Sequence, residues 1–187
     1  MRDHRQIFGY GELALPDVVK DRCAAPKVIG PARIDGFRQG YFKYSRKWDG
    51  AVDSVKKAEG SSVWGILYAI DFDDGGLLDE FLDARLDGTG NHFHYPVAVT
   101  LENGETTDAL MYVMSEMGPD RPPSTEFLAR LVGGARAQKL PPEWIESLES
   151  TESVPAAYPV PNGTGRGGSG DCGCCTDYRE ELRKVDA

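Results

Sequence analysis

A glycine turn near the amino end is the segment of this sequence best suited to bind a small ligand. The segment Phe8-Gly9-Tyr10-Gly11-Glu12-Leu13 follows a short apolar run that predicts a buried strand. A tight turn at a strand end can direct several backbone N–H groups to one point, and glycine permits the required dihedral angles and a close approach by a ligand. The turn therefore suits a carboxylate or an oxyanion, although a plain glycine-containing turn without a ligand has the same pattern.

Two histidines are candidates for a metal site. His92 and His94 are two residues apart on a predicted strand, so their side chains should share one face of the sheet. No third ligand accompanies them at a usable spacing, and two imidazoles on a solvated sheet face have the same pattern. We therefore predict no bound metal at these histidines, and a role in a pocket remains an alternative for them.

A cysteine cluster lies close to the carboxyl end. Cys172, Cys174 and Cys175 put three thiols within four residues, which suits contact with a soft metal or thiol exchange. Three sulfurs do not close a zinc site unless Cys23 or a partner chain supplies a fourth. A tail with no specific ligand is the other interpretation.

Two further motifs match binding patterns only formally. The glycines of segment 163–168 have dinucleotide-loop spacing, but they follow no strand and open no helix. The acidic segment 71–76 resembles the start of a calcium loop, but its fifth position is Gly75 and its twelfth is Leu82, where a glutamate is required. A turn that leaves a strand is the better interpretation of the acidic segment.

Composition restricts the class of protein. The chain has 187 residues and a formal net charge of −9, while 40% of its residues are hydrophobic. This apolar content supports a folded core, and the acidic balance disfavours nucleic acid as a partner because phosphates repel it. No apolar run is long enough to span a bilayer, and the charged start lacks a signal core. We expect a cytoplasmic protein without a membrane partner, and the sequence leaves its oligomeric state open.

Strands dominate the first two thirds of the domain and helices dominate its end. We predict a flexible Gly/Pro-rich tail at 151–187, because that composition cannot bury enough apolar surface to order itself, and one domain at 1–150. Strands are predicted at 6–11, 31–45 (as one bent strand or two), 62–70, 92–101 and 106–114, and helices at 79–86, at 124–137 and from 142. Asn103-Gly104 indicates a hairpin between the last two strands. The order favours an α+β fold with a largely antiparallel sheet covered by helices.

The ordered motifs of this domain resemble the γ-glutamylcyclotransferase-like family. The resemblance runs in order and spacing through nearly all of residues 6–148. It is carried by the glycine turn at 8–13, by Pro31-Ala32-Arg33-Ile34-Asp35-Gly36-Phe37, by Val63-Trp64-Gly65-Ile66-Leu67-Tyr68, by Leu78-Asp79-Glu80, by Ala109-Leu110-Met111-Tyr112-Val113, by Pro123-Ser124, by Gly134-Ala135-Arg136 and by Lys139-Leu140-Pro141. It implies a closed or nearly closed mixed, mostly antiparallel β-barrel flanked by helices.

The resemblance also implies a reaction. The α-amine of a γ-glutamyl group would attack its own γ-carbonyl, giving 5-oxoproline and a free amine without a cofactor. The implied substrate-binding residues are Tyr10, Gly11, Glu12 and Leu13 of the turn, whose amides would hold a carboxylate or the developing oxyanion, and Tyr112 as a pocket wall. The implied partner is thus a small molecule of the γ-glutamyl type.

The sequence departs from the family pattern at the catalytic base. The family glutamate stands three residues after the Asp of the Leu-Asp pair, and that position here is Leu82. Counting back from the following strand reaches Arg85 instead, and neither residue can accept a proton. Asp83 and Glu12 are the candidate replacements. Glu12 stands where the family has a small hydroxyl, so it serves either as a relocated base or as a group that repels the substrate carboxylate.

These departures leave more than one function open. The leading hypothesis is an active γ-glutamylcyclotransferase-like enzyme with Asp83 or Glu12 as its base. The alternative is a non-catalytic small-molecule binding module of the same fold, whose cysteine tail contacts a metal or a partner. A changed reaction on a modified amino acid is compatible with both departures.

Overall fold

The structure is a computed structural model that describes residues 4–161 of the chain. Its centre is a closed barrel of five strands in the order β1-β3-β2-β4-β5. The strands are β1 (His4–Gly9), β2 (Lys27–Ser45), β3 (Gly50–Asp71), β4 (His92–Leu101) and β5 (Thr106–Met114). Strand β1 pairs in parallel with β5 at Ile7 and Leu110, and the other pairings are antiparallel. The predicted mixed, mostly antiparallel barrel is therefore confirmed.

Strands β2 and β3 form one long hairpin that the sequence reveals only in part. The predicted third strand begins at residue 62, whereas β3 begins at Gly50. The turn between the strands is closed by Asp49 in the left-handed region, at φ 48°, followed by Gly50. Asp-Gly between aromatic and β-branched residues indicates a hairpin. The first half of β3, which the strand prediction at 62–70 leaves out, could therefore have been predicted from the sequence. Strand β2 is continuous through residue 45, with bulges where its register shifts.

Alternate residues of β3 pack into two different clusters. Val63 and Leu67 belong to a cluster built mainly of strand side chains, whereas Ile66 and Ile70 belong to a cluster that also contains helix residues. Successive strand residues point to opposite sides of the sheet, so one face of the barrel wall packs on other strands and the opposite face packs on helices.

Helix α2 (Phe72–Leu82) both begins and ends earlier in the chain than the helix predicted at 79–86. The Asp71 side chain accepts a hydrogen bond from the Asp74 backbone N–H at 2.9 Å, so Asp71 caps the helix and the acidic segment is its first turn. Asp83 has φ 47°, in the left-handed region, and ends the helix there. Leu86 is exposed beyond this end, so its helical spacing with Leu78 and Leu82 was coincidental.

Three more helices cover the barrel among the described residues: α1 (Pro16–Lys20), α3 (Thr125–Ala137) and α4 (Pro142–Glu149). The Ser124 side chain accepts from the Phe127 backbone N–H at 3.3 Å, so the predicted cap of α3 is confirmed. Helix α4 begins at Pro142, as its sequence indicates. None of the helices within residues 4–161 has the length and apolar character needed to cross a membrane.

The segment 151–161 lies against the barrel, although its composition predicts a flexible linker. Val154 exchanges backbone hydrogen bonds with Pro123 and Thr125, and the Ala157 N–H donates to Asp49 Oδ2 at 2.6 Å. The hydroxyl of Tyr158 donates to the carbonyl of Arg46. The ordered part of the domain therefore extends beyond the predicted boundary at residue 150. The rest of the predicted tail, with its cysteine cluster and formal glycine motif, lies outside the described residues.

Two glycine-to-alanine substitutions test the close backbone contact between β1 and β3 at Gly9 and Gly65. A Cβ on Gly65 would overlap the backbone carbonyl of Gly9, whereas a Cβ on Gly76, exposed on α2, would meet nothing within 4 Å. We expect Gly65→Ala to lower the free energy of unfolding by about 2 kcal/mol because backbone must move. Gly76→Ala should raise it by about 0.5–1 kcal/mol. Chemical denaturation measures both, and equal effects would contradict the close strand approach.

Candidate functional site

A cavity of about 80 Å³ lies beside the glycine turn, with room for several water molecules or a small organic group. Its walls come from the turn, α1, the β2–β3 hairpin, the end of α2, β4 and β5. The lining residues are Tyr10, Glu12, Leu13, Val18, Ser45, Lys47, Trp48, Val52, Asp53, Phe81, Leu82, His92, Tyr112 and Met114. The structure thus brings together four of the five predicted substrate-binding residues, whereas the fifth, Gly11, lines a separate and smaller pocket.

The turn itself is a short 3-10 helix, Gly11–Ala14, that leaves the end of β1. Gly11 has φ 53°, a conformation that side-chain-bearing residues rarely adopt. The Leu13 N–H donates to the Tyr10 carbonyl at 3.0 Å, and the Tyr68 hydroxyl donates to the Leu13 carbonyl at 3.0 Å. The turn is therefore fixed both by its own backbone and by β3.

The carboxyl group of Asp53 lies directly against this turn. A Cβ on Gly11 would overlap Oδ2 of Asp53, so the close approach is possible only because residue 11 is glycine. The backbone N–H groups of Glu12 and of Asp53 itself donate to the Asp53 carboxyl. The carboxyl group beside this turn is therefore one of the protein's own, and binding of a ligand carboxylate there stays a prediction.

The environment of Asp53 favours the protonated acid. Burial, followed by repulsion from the nearby Glu12 carboxylate, raises the pKa of Asp53 to about 7. The backbone hydrogen bonds oppose this change but do not cancel it. A carboxyl group with this pKa can accept and return a proton near neutral pH, which is the property that a general acid–base group requires.

Glu12 is held by two cations. Its Oε1 lies 3.7 Å from Lys47 Nζ and 3.6 Å from Arg130 Nε, and all three side chains are partly buried. Both cations also lie near the Trp48 ring. The contacts of Glu12 are therefore those of an ion-paired carboxylate at the cavity wall, which raises the pKa of its neighbour Asp53.

Two tyrosines connect the turn to the far side of the barrel. The Tyr10 hydroxyl donates to the backbone carbonyl of Tyr112 at 2.6 Å. The Tyr112 hydroxyl in turn donates to Asp79 Oδ1 at 2.6 Å, and His94 Nε2 lies 2.6 Å from the same oxygen. Burial, with a contribution from Asp53, raises the pKa of Tyr10, and burial with Asp79 raises that of Tyr112. Both hydroxyls are therefore fixed, protonated donors.

The two histidines have different partners and do not form a shared metal site. His92 Nδ1 lies 2.7 Å from the Leu82 carbonyl, whereas His94 contacts Asp79. Burial lowers the pKa of His92, so its ring is neutral at neutral pH. A carbonyl only accepts, so Nδ1 carries the hydrogen and Nε2 is left as an acceptor. Among residues 4–161, no group of three or more His, Cys, Asp or Glu side chains is arranged to hold a metal ion.

Cys23 is buried away from the cavity. Its thiol donates to the Asp74 carbonyl at 3.7 Å, and burial followed by repulsion from Asp74 and Asp71 raises its pKa to about 12. It is therefore a protonated thiol at neutral pH, which makes it a poor metal ligand.

The structure separates Asp83 from the cavity. Its carboxylate accepts from Arg85 Nε at 2.8 Å and from Asn91 Nδ2 at 2.9 Å, and it is not among the lining residues. Leu82, one of the two positions at which the resemblance places the family glutamate, does line the cavity. The contacts thus favour Asp53 over Asp83 as a base, while the role of Asp83 stays an untested prediction.

Sequence reasoning missed Asp53 because it lay in the unassigned half of β3. The available signal was a lone acid within Ala51-Val52-Asp53-Ser54-Val55, an otherwise small and apolar run just after an Asp-Gly turn. An ionisable group predicted to lie on a buried strand is a candidate for a functional site, since its burial has a cost.

Curated relatives match most of the domain. The chain is 24% identical to human gamma-glutamylcyclotransferase over 149 residues, covering 78% of this chain and 77% of that protein. It is 25% identical to the mouse gamma-glutamylcyclotransferase with the same coverage. The sequence model of the AIG2-like family matches residues 62–148.

Solved structures share the fold. A gamma-glutamyl cyclotransferase structure superposes with a TM-score of 0.75 at 22% identity, covering 98% of this chain and 99% of that one. YkqA from Bacillus subtilis superposes with a TM-score of 0.66 at 17% identity, covering 81% of this chain and 56% of that one. The ordered motifs, the barrel and these relatives agree, so the chain is similar to the AIG2-like and γ-glutamylcyclotransferase-like proteins in sequence and in fold.

Proposed function

We propose that this protein catalyses intramolecular aminolysis of a γ-glutamyl amide, giving 5-oxoproline and a free amine, with Asp53 as the proton-transferring group. The single observation that supports an active enzyme is the Asp53 carboxyl, which lines the cavity at the glycine turn with a pKa of about 7. The family relatives named gamma-glutamylcyclotransferase support the choice of reaction.

The proposed reaction needs one group that moves a proton twice. Asp53 removes one proton from the substrate α-ammonium and releases it to solvent. The freed nitrogen attacks the γ-carbonyl carbon to form the ring bond, and Asp53 removes a second proton from that nitrogen. The bond from the γ-carbon to the leaving nitrogen then breaks as Asp53 returns this second proton to the leaving nitrogen, and the released amine takes up one proton from solvent. No water is consumed. An α-amine has a pKa of about 8, so its proton transfer to Asp53 is nearly balanced in free energy.

The rest of the cavity would position the substrate. A ring closes fast only when the amine is held near its own carbonyl, and a rigid wall supplies that constraint. Tyr112 is fixed through Asp79, and Tyr10 is fixed through the carbonyl of Tyr112. These two aromatic side chains would form the walls against which the substrate folds.

Leu82 supports a second candidate function, the non-catalytic small-molecule binding module. Counting forward from Asp79 places the family glutamate at this position, and Leu82 lines the cavity without any group that accepts a proton. A protein that binds γ-glutamyl compounds without converting them would need the cavity but not the base. The turnover of variants at Asp53 separates the two functions.

A panel of γ-glutamyl amides tests the reaction and its base. We expect wild-type protein to release 5-oxoproline from at least one member, and Asp53→Asn to reduce turnover by at least about 100-fold because the proton acceptor is lost. Asp83→Asn should leave turnover within about 3-fold. Chromatographic measurement of 5-oxoproline gives the rates.

The matched control is Asp108→Asn, which removes one carboxylate from an exposed position on β5 and should leave turnover unchanged. Loss of turnover in Glu12→Gln but not in Asp53→Asn would assign the base to Glu12. No 5-oxoproline from any amide would favour the binding module.

The pH dependence of stability tests the environment of Asp53 without a substrate. The Asp53 carboxyl has a pKa of about 7 in the folded protein and about 3.9 in the unfolded chain. Between about pH 3.9 and pH 7 the folded protein therefore keeps a proton on Asp53 that the unfolded chain has lost. Its contribution therefore destabilises the fold as pH rises from 4 to 7. We expect the stability of Asp53→Asn relative to wild type to increase by about 2 kcal/mol from pH 5 to pH 8. Urea denaturation at each pH measures this difference.

Asp108→Asn serves as the control here too, because its exposed carboxylate should give a difference that stays nearly constant with pH. A constant difference for Asp53→Asn as well would show that Asp53 is an ordinary solvated acid.

A further inference from the structure

The end of β2 and the loop after it place two polar side chains in the cavity wall that the proposed reaction does not use. Ser45 is the last residue of β2, Lys47 follows it by two positions, and both line the cavity. The backbone between them is anchored, because the Tyr158 hydroxyl donates to the carbonyl of Arg46. The short segment 45–47 therefore presents a hydroxyl and an ammonium group to the same cavity.

The hydroxyl of Ser45 lacks a partner within the protein. The residue is only 1% exposed, and its Oγ forms no hydrogen bond with any residue that the structure describes. A buried hydroxyl in this state is unfavourable unless another molecule supplies the missing bond. Because Ser45 lines the cavity, a ligand inside the cavity is in position to supply that bond.

Lys47 has donor hydrogens to spare. Its Nζ carries three N–H donors and lies 3.7 Å from Glu12 Oε1 and 5.2 Å from the centre of the Trp48 ring. The first contact is an ion pair longer than a hydrogen bond, and an aromatic ring face attracts the charge without accepting a conventional hydrogen bond. Lys47 can therefore donate to a ligand in the cavity and still remain beside Glu12.

The charges around segment 45–47 are compatible with a further anion. Glu12 faces two cations, since its Oε1 lies 3.7 Å from Lys47 Nζ and 3.6 Å from Arg130 Nε. Arg130 Nη2 also lies 3.6 Å from Asp17 Oδ2, but the Asp17 side chain is 61% exposed, so solvent screens its charge. The other acid of the cavity wall, Asp53, has a pKa of about 7 and is mainly protonated at pH 6. A ligand carboxylate beside Lys47 would therefore meet net positive charge at that pH.

We propose that Ser45 and Lys47 form a subsite for a carboxylate of the ligand, which places that carboxylate at segment 45–47 instead of at the glycine turn. A carboxylate offers two acceptor oxygens, one for the Ser45 hydroxyl and one for the Lys47 ammonium. A neutral ligand would bind more weakly because it lacks the attraction to the Lys47 charge. The identity of this group as the α-carboxylate of a γ-glutamyl compound rests on the proposed function, whereas the preference for a carboxylate rests on segment 45–47 alone.

Two ring compounds that differ by one carboxylate test this preference without turnover. 5-Oxoproline carries a carboxylate on its lactam ring, and 2-pyrrolidinone is the same ring without that group. At pH 6, NMR titration of the full chain should show that 5-oxoproline binds at least about tenfold more tightly than 2-pyrrolidinone. Equal affinity, tighter binding of 2-pyrrolidinone, or no binding of either compound would overturn the proposal.

A charge-removing variant assigns the preference to Lys47. Lys47→Met removes the charge and nearly keeps the length of the side chain, so it should weaken binding of 5-oxoproline at least about tenfold and bring the two affinities within about threefold of each other. The matched control is Lys27→Met, at an exposed position on β2, which should change neither affinity. Thermal unfolding establishes that each variant is folded. A preference that survives unchanged in Lys47→Met would place the carboxylate elsewhere and overturn the assignment.

Ser45→Ala separates a ligand-binding role from a structural one, and it replaces Lys47→Met if that variant does not fold. Since the Ser45 hydroxyl has no partner among the described residues, its removal should not lower the midpoint of thermal unfolding. The same variant should weaken binding of 5-oxoproline at least about threefold. A lower midpoint with unchanged binding would show that the hydroxyl serves the fold, and would remove Ser45 from the subsite.

The failure of this proposal is distinguishable from the failure of the proposed reaction. A protein that prefers 5-oxoproline through Lys47 but releases none from any γ-glutamyl amide has the carboxylate subsite without the reaction. A protein that releases 5-oxoproline but binds the two ring compounds equally has the reaction without this subsite.

Discussion

The contact between the Asp53 carboxyl and the Gly11 turn is the constraint on which the rest of the site depends. Two acids are brought together at a turn whose first residue has no side chain, and burial, followed by repulsion from Glu12, raises the pKa of Asp53. A buried acid beside a second acid is unfavourable and persists only where the surrounding structure holds it in place. A carboxyl group that would be fully ionised in water is thereby made able to exchange a proton near neutrality.

The closed barrel supplies that support. The glycine turn follows β1, and Asp53 lies on the first half of β3, so two segments that are distant in the chain must meet for the site to exist. The Tyr10 hydroxyl also joins the turn to β5 through the carbonyl of Tyr112, on the strand that closes the barrel against β1. The site therefore requires the complete ring of strands and cannot form from any single hairpin.

The fold was more accessible to sequence analysis than the site. The Asn103-Gly104 hairpin and the Ser124 cap depend on neighbouring residues, so local patterns predict them. The approach of Asp53 to Gly11 is a contact across 42 positions, and spacing along one strand carries no information about it. The glycines of the turn predict either a receptor for a carboxylate or a plain turn, whereas the position of Asp53 beside them appears only in the three-dimensional fold.

Helix α2 shows a second limit of pattern reasoning. Its leucine spacing predicted a helix from residue 79 through residue 86, but local capping residues place both ends earlier in the chain. Asp71 begins the helix through its side chain, while Asp83 ends it by adopting a left-handed backbone. The Asp83 carboxylate accepts a hydrogen bond from Asn91 Nδ2 beyond this end of the helix.

The segment 151–161 forms hydrogen bonds with the loop between β2 and β3. It reaches Asp49 and the Arg46 carbonyl, on the same hairpin whose second strand carries Asp53. Tyr158 thus stabilises the hairpin that carries Asp53, although Tyr158 itself does not line the cavity. Shortened forms of the protein intended for crystallisation or calorimetry should accordingly retain the chain through residue 161. A chain that ends at residue 150 would lose the hydrogen bonds of Ala157 and Tyr158 to the hairpin.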